Sequence, residues 1–330
     1  GSDDLDPDNS NYGTIGGGQG NTVDGPHGTV GGGTGNNAGT RSFVGGGDGN
    51  TAQNTSSVAG GTGNSSTGTF STIGGGQNNV SANLRTTVAG GLNNRSEGLQ
   101  STVSGGSGNK ATGLDATVPG GDRNEANGDF TFAAGQRAKA NDDGQFVWAD
   151  NNDVDFNVGI VNRFAARATG GVRFVTAIDG TGGATAGVVL PAGDSAWQAV
   201  SDRNAKENFI ATNGREILDR LAAIPLSTWN YKTLKGVRHI GPMAQDFYAA
   251  FQVGHDDKHI STIDADGVAL AAIQGLYGIV QDQESEIVSL RTEVTRLRAQ
   301  LVTAGDLAAR LAAVEEQLSG SATVRTAALR

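Results

Sequence analysis

A β-branched or aromatic residue recurs every 14 or 15 positions through the first half of the chain: Ile15, Val30, Val44, Val58, Ile73, Val88, Val103, Val118 and Phe132. A glycine follows three positions after each, from Gly18 through Gly135. Six positions after each of the first eight stands an asparagine (Asn21, Asn36, Asn50, Asn64, Asn79, Asn94, Asn109 and Asn124), and Ala138 takes the ninth place. Two positions further on comes a small or apolar residue, from Val23 and Ala38 through Ala126 and Ala140. The period is too short for a helical hairpin and suits one coil of a β-solenoid with two short strands. The recurrent glycines supply positive φ at tight turns. The Val/Ile position points inward and its neighbours alternate outward. Stacking sets like residues about 4.8 Å apart, so the asparagines are expected to form a hydrogen-bonded ladder. One coil buries almost nothing, so stability must come from stacking and from neighbouring chains.

The pattern then changes twice. Between 151 and 200, the short runs Val158–Val161, Val172–Val175 and Val188–Leu190 are separated by Gly and Asp-Gly turns, which predicts a small β connector. After residue 200 helix signals take over. Gly214–Leu221 has helical spacing and Pro225 ends it; Leu226–Tyr231 alternates like a strand; His239–Phe247 leads from a strand into a helix. Asp266 is placed to cap a helix starting near Gly267. From Ile273 a heptad runs through Leu276, Val280, Gln283, Ile287, Leu290, Val294, Leu297 and Leu301, with Gln283 the one polar a/d residue. That predicts a coiled-coil rod of roughly 43 Å. The register breaks at Thr303–Asp306 and resumes with Leu307, Leu311, Val314 and Leu318.

Composition narrows the function classes. The 53 glycines and 36% hydrophobic residues are poor material for one globular core. A net charge of −10 without a Lys/Arg run argues against nucleic acid or an acidic membrane surface as partner. With no cysteine there is no disulfide or thiolate metal site. No apolar run approaches the ~20 residues of a membrane span. No cofactor motif stands out: the glycines recur nine times without a following Lys-Ser/Thr, so turns explain them better than phosphate loops.

Several groups invite chemistry. The Thr row (Thr14, Thr29, Thr72, Thr87, Thr102, Thr117, Thr131) fits an ice-binding face, but β-propensity on a solvent-facing strand explains it more simply. Asp142, Asp143, Asp150, Asp153 and Asp155 are calcium-type ligands. They read better as the solvated end of the solenoid, with Phe146 and Trp148 plugging the last coil. His255 and His259 have metal spacing, but nothing completes a site, so no metal is expected. Ser201 and Lys206, five positions apart in Ser-Asp-Arg-Asn-Ala-Lys, pair a nucleophile with a base. A lysine serves as base only when burial or a nearby cation disfavours its charge, a part Arg203 is placed to play.

Two resemblances follow from these residues. Ser71-Thr72-Ile73-Gly74-Gly75-Gly76, with Asn79-Val80-Ser81, resembles the left-handed parallel β-roll of trimeric autotransporter adhesin heads across about 13–150. It departs in placing Asn where those heads prefer a small residue. Ser201–Lys206, the Ile217–Tyr231 unit, the Gly241-Pro242-Met243-Ala244-Gln245 turn and the terminal heptads resemble the C-terminal intramolecular chaperone of phage endosialidases, tail spikes and tail fibres across about 201–300. That resemblance implies a domain that trimerises, sets the preceding β-structure in register and then cuts itself off. It implies a scissile bond at Val200–Ser201, with Ser201 as nucleophile, Lys206 as its activator, and Asp202 and Arg203 in support.

The expected fold is a mainly β, trimeric left-handed β-roll followed by an α+β chaperone domain and a trimeric coiled coil. The expected divisions are a flexible leader opening on a tag remnant (1–12), β-roll (13–150), β connector (151–200), chaperone core (201–272), coiled coil (273–318) and disordered tail (319–330). The expected function is a homotrimeric, adhesin-like fibre on a virion tail or bacterial surface. Its partners are its own copies and a surface glycan or receptor, and its only catalysis is self-cutting. The alternatives are an ice- or surface-binding solenoid and a polymer-degrading tail spike, although no paired carboxylates support glycan cleavage.

Overall fold

The computed structural model describes residues 12–327. Of the stretches read as leader and tail, residues 1–11 and 328–330 lie outside the described residues. The chain divides into two compact units, Gly1–Ala205 and Lys206–Arg330.

The first unit opens with a parallel β-solenoid. Its coils build two ladders. A 12-stranded sheet begins at Thr14–Ile15 and ends at Phe164–Arg167, and a 10-stranded sheet begins at Thr22–Val23 and ends at Phe156–Asn157. The ladders therefore continue past residue 150. Register advances one repeat per coil: Thr72 pairs with Thr87, Val88 with Val103, and Ser81 with Ser96. Both inward rows meet in one core, where Val30, Val44, Val58, Ile73, Val88, Val103 and Val118 face Ala38, Ala52, Ala111 and Ala126, all fully buried.

The asparagines link the coils as the spacing predicts. The Asn79 side-chain amide donates to the carbonyls of Gly75 in its own coil and Gly91 in the next, each at 2.9 Å. Its Oδ1 accepts the backbone N–H of Asn94 at 2.9 Å, and the Asn79 N–H is bound by Asn64 Oδ1 at 3.0 Å. The cycle repeats from Asn21 to Ala138. Each asparagine thereby satisfies one N–H and one carbonyl that the turn leaves unpaired and adds a second bond to a carbonyl of the next coil. The glycine before it is obligatory. At Gly76 φ is +85°, and a Cβ there would lie 2.1 Å from Gly91 O and 2.8 Å from Asn79 Nδ2.

Several features differ from the sequence reading. The inward residue of the ninth coil is Ala133, and Phe132 points outward beside Thr117 and Phe146. The reason is a one-residue shortening: Thr117 pairs fifteen positions on with Phe132, whereas Gly121 pairs fourteen on with Gly135. Counting back from the glycine therefore selects the wrong neighbour. For the same reason Thr131 leaves the Thr row and is buried, its hydroxyl donating to Gly128 O at 2.7 Å. Phe43, Ser57 and Phe132 interrupt that row, so it is no flat Thr array. Nor do Phe146 and Trp148 plug the last coil. They face outward, 36% and 39% exposed, while Val147 and Ala149 fill the interior. A buried hydroxyl column was missed: Ser66 bonds Ser71 at 2.7 Å, Ser81 bonds Thr86 at 2.8 Å and Ser96 bonds Ser101 at 2.7 Å.

After the solenoid comes a three-stranded antiparallel sheet, Gly171–Ile178, Ala184–Pro191 and Gln198–Ala199. It contains two of the three runs read as strands. The third, Val158–Val161, is no strand; Val158 packs on the solenoid core instead.

Candidate processing joint and chaperone body

The joint is built from the edge strand of that small sheet. Ala199 pairs with Val188 and Gln198 with Val189. The Val200 N–H then donates to Gly187 O at 3.2 Å. Ser201 follows, exposed to solvent. Asp202 Oδ1 accepts the Asn204 N–H at 2.9 Å and the Asn204 side-chain amide at 3.2 Å. With the Ala205 N–H on Asp202 O at 3.1 Å, this closes a single 3-10 turn over Arg203–Ala205. Asp202 is thus a turn-former, as its side chain suits. Lys206, also exposed, opens the second unit. Val200 is thus anchored to the sheet through its N–H, and the chain after it enters an exposed turn.

The second unit has a small core. α1 (Gly214–Ala223) starts where Asn213 Oδ1 accepts the Arg215 N–H at 3.1 Å, and it ends before Pro225. α2 (Ala244–Phe251) and the long α3 (Thr262–Ala327) complete the helices. Ile224, Phe247, Phe251 and Val268 form the core, with Ile217, Leu221, Ala250 and Ile260 packed around it. α1 and α3 touch through glycines: a Cβ on Gly275 would lie 2.2 Å from Gly214 O. Arg215 pairs with Asp282, and Arg220 donates to Ala250 O at 2.9 Å. A hairpin of Ser227–Trp229 and His239–Gly241 lies between α1 and α2 in the chain. Trp229 stacks on His239 at 4.8 Å, yet Trp229 Nε1 and His239 Nε2 are both buried without a hydrogen-bond partner. Phe209, Ile210, Leu226 and Ile240 are 66% exposed or more. The unit leaves much of its apolar surface unburied.

α3 corrects the reading of its own start. Ser261 is the capping residue, its hydroxyl facing the Asp264 N–H at 3.4 Å, so Asp266 lies inside the helix. The helix also runs through Thr303–Asp306 and into the stretch read as a tail, to Ala327. A register break in a heptad shifts the apolar stripe without interrupting backbone hydrogen bonds. The heptad residues lie open, from Val280 at 41% and Leu290 at 56% to Leu301 at 76% exposed. One 18-residue window of this helix reaches a mean hydropathy of 1.3, enough for a membrane span by length and composition, contrary to the sequence reading. Within the helix, Val268 and Ala272 are buried, which gives part of that apolarity a packing role.

The acidic cluster is engaged in holding the last coils. Asp150 accepts the Thr169 N–H at 2.9 Å, the Thr169 hydroxyl at 2.7 Å and Arg167 Nε at 2.8 Å, and these bonds hold its carboxyl far below the usual range. Hydrogen bonds from Arg137 lower Asp153 and Asp155. Asp142 accepts from Gln145, and Asp143 from the Asp129 N–H. His259 turns its Nδ1 to Asp256 at 2.9 Å. Among the described residues no group of His, Cys, Asp and Glu is arranged to hold a metal.

Residues 201–253 match the family described as the chaperone of endosialidase. The matched stretch holds Ser201, Lys206, α1, the hairpin and α2, and stops before α3. No curated protein matches the chain. A long β-solenoid followed by an endosialidase-type chaperone region is the organisation of a tail-fibre-like protein with a C-terminal chaperone domain.

Proposed function

We propose that the chain is a homotrimeric fibre protein whose C-terminal unit aligns three copies of the solenoid and is then cut away at Val200–Ser201. The observation that carries the reading is the open heptad seam of α3. A helix with exposed Ile287, Leu290, Val294 and Leu297 on one stripe is stable in water only against other helices. Near-identical coils allow slipped pairings between copies at little cost. Joining the chains at one end raises their effective concentration and sets the starting offset.

Ser201 Oγ attacks the Val200 carbonyl carbon, and Lys206 takes the hydroxyl proton. The acyl group passes to oxygen, the Ser201 nitrogen takes that proton back from Lys206 and leaves as an amine, and water hydrolyses the ester to a Val200 carboxylate and the free Ser201 hydroxyl. A lysine acts as base when its surroundings are dry. Lys206 is exposed in the single chain, so sister copies supply the dryness and cutting waits for assembly. Loss of the clamp then makes the fibre's persistence kinetic. The site of action is a virion tail or bacterial surface, and the target a receptor or glycan there.

Denaturing mass measurement tests this. The wild type gives fragments 1–200 and 201–330, Ser201→Ala gives one intact chain, and native mass gives three copies. An uncut wild type ends the self-cutting reading, and a monomeric Ser201→Ala chain ends the trimer.

A further inference from the structure

The two ladders of the solenoid differ in what they show to the outside. In the second ladder the outward row is uncharged from Thr22 to Val80 and then carries charge: Arg95, Lys110 and Glu125 follow one another in adjacent coils, with Lys139 buried beyond them. The strip of single bridges between the ladders includes Asp48 and Asp122. The outward row of the first ladder, running from Thr14 to Phe164, has no charged residue in any coil. Thr72, Thr87, Thr102 and Thr117 lead into Phe132, Phe146 and Phe164, whose rings stack at 4.5 and 4.9 Å. Phe164 is 69% exposed and Phe43 45%. Beside this row, the next outward residues are Gly74, Ala89, Ser104, Ala134 and Trp148, again without charge.

We propose that this uncharged face is where the solenoids of sister copies meet, and that the charged ladder faces solvent. The inference rests on the trimer proposed above and adds which surface is buried in it. Two arguments identify the occupant as a second copy. The first is commensurability. A row that repeats at about 4.8 Å over about ten coils can be matched along its whole length only by an array with the same rise. The second is charge. Symmetry sets like rows near each other, so a charged row would repel itself, whereas small hydroxyls and rings do not. The face measures about 48 Å by 10–15 Å, roughly 500–700 Å² per chain, which two neighbours share, so it falls short of the ~800 Å² per partner of ordinary stable interfaces and relies on the joined C-terminal ends.

The absence of cysteine makes a clean test. Nitroxide labels are attached to full-length Thr102→Cys and, separately, Lys110→Cys, both half-buried outward positions. Native mass is taken first, then label-to-label distances by pulsed electron resonance. The inward rows share one core, so the two outward rows point away from each other. With ladders about 10 Å apart, threefold geometry makes the distance at 102 shorter than at 110 by roughly 17 Å. Equal distances, or the shorter one at 110, overturn the assignment while leaving the trimer standing. A single-copy mass overturns both, and is seen before any distance is measured.

Discussion

Asn79→Ala is the sharpest probe of what holds the coils together. The substitution deletes three side-chain hydrogen bonds and leaves the Gly75 carbonyl and the Asn94 N–H unpaired, while the Gly91 carbonyl keeps the Gln77 N–H at 2.9 Å. Each buried group left without a partner costs about 1–3 kcal/mol. Relaxation reduces the sum over these two groups, so roughly 2–4 kcal/mol is expected for this coil. Val88→Ala, in the neighbouring hydrophobic row, removes two methyl groups and should cost roughly 1.5–3 kcal/mol. The polar ladder is therefore expected to outweigh the apolar one, position for position. Hydrogen exchange reads this locally. The Val80 and Leu92 amides, bonded to Asn94 O and Gly106 O, should lose about 30- to 10³-fold protection in Asn79→Ala. Thr87→Ala, on the outward row, should change little. A loss under tenfold in Asn79→Ala, with a larger loss in Val88→Ala, would refute the reasoning.

Gly76→Ala combines strained φ with the contact on Gly91 O, and should destabilise its coil more than Gly90→Ala, where the nearest atom is 3.8 Å away, as read by the same exchange. Leu290→Lys puts a charge in the open seam of α3; the expected result is loss of the three-copy native mass together with a fall in helix content by circular dichroism. Gly275→Leu drives a side chain into Gly214 and should separate α1 from α3, lowering the thermal midpoint of the C-terminal unit in calorimetry. The folded-state carboxyl of Asp150 is depressed, so its contribution is complete above the ordinary carboxylate pKa of ~3.9 and fades as pH falls towards the folded value. Exchange protection at Thr169 should accordingly fall with acid below about pH 4 in the wild type, and the Asp150→Asn chain should lack that dependence.

The period of the repeat determined most of the solenoid by itself. One apolar residue, one glycine and one asparagine per coil fix the inward row, the turn and the bonds between coils, because each requirement is local and repeats with the backbone rise. The helical spacing of α1 and its stop before Pro225 were legible for the same reason, as was the apolar stripe of α3. Non-local pairing was not legible in this way. Whether Phe132 or Ala133 turned inward depended on how the ninth coil shortened against its neighbours, and one residue of slip exchanges inside for outside. The start of α3 at Thr262 depended on Ser261 and on Val268 joining the core of Phe247, a partner distant in sequence. At the joint, the sequence supplied Ser201 and Lys206. Tertiary structure alone anchored Val200 to the sheet beside the joint, because that depends on Gly187 arriving from the neighbouring strand.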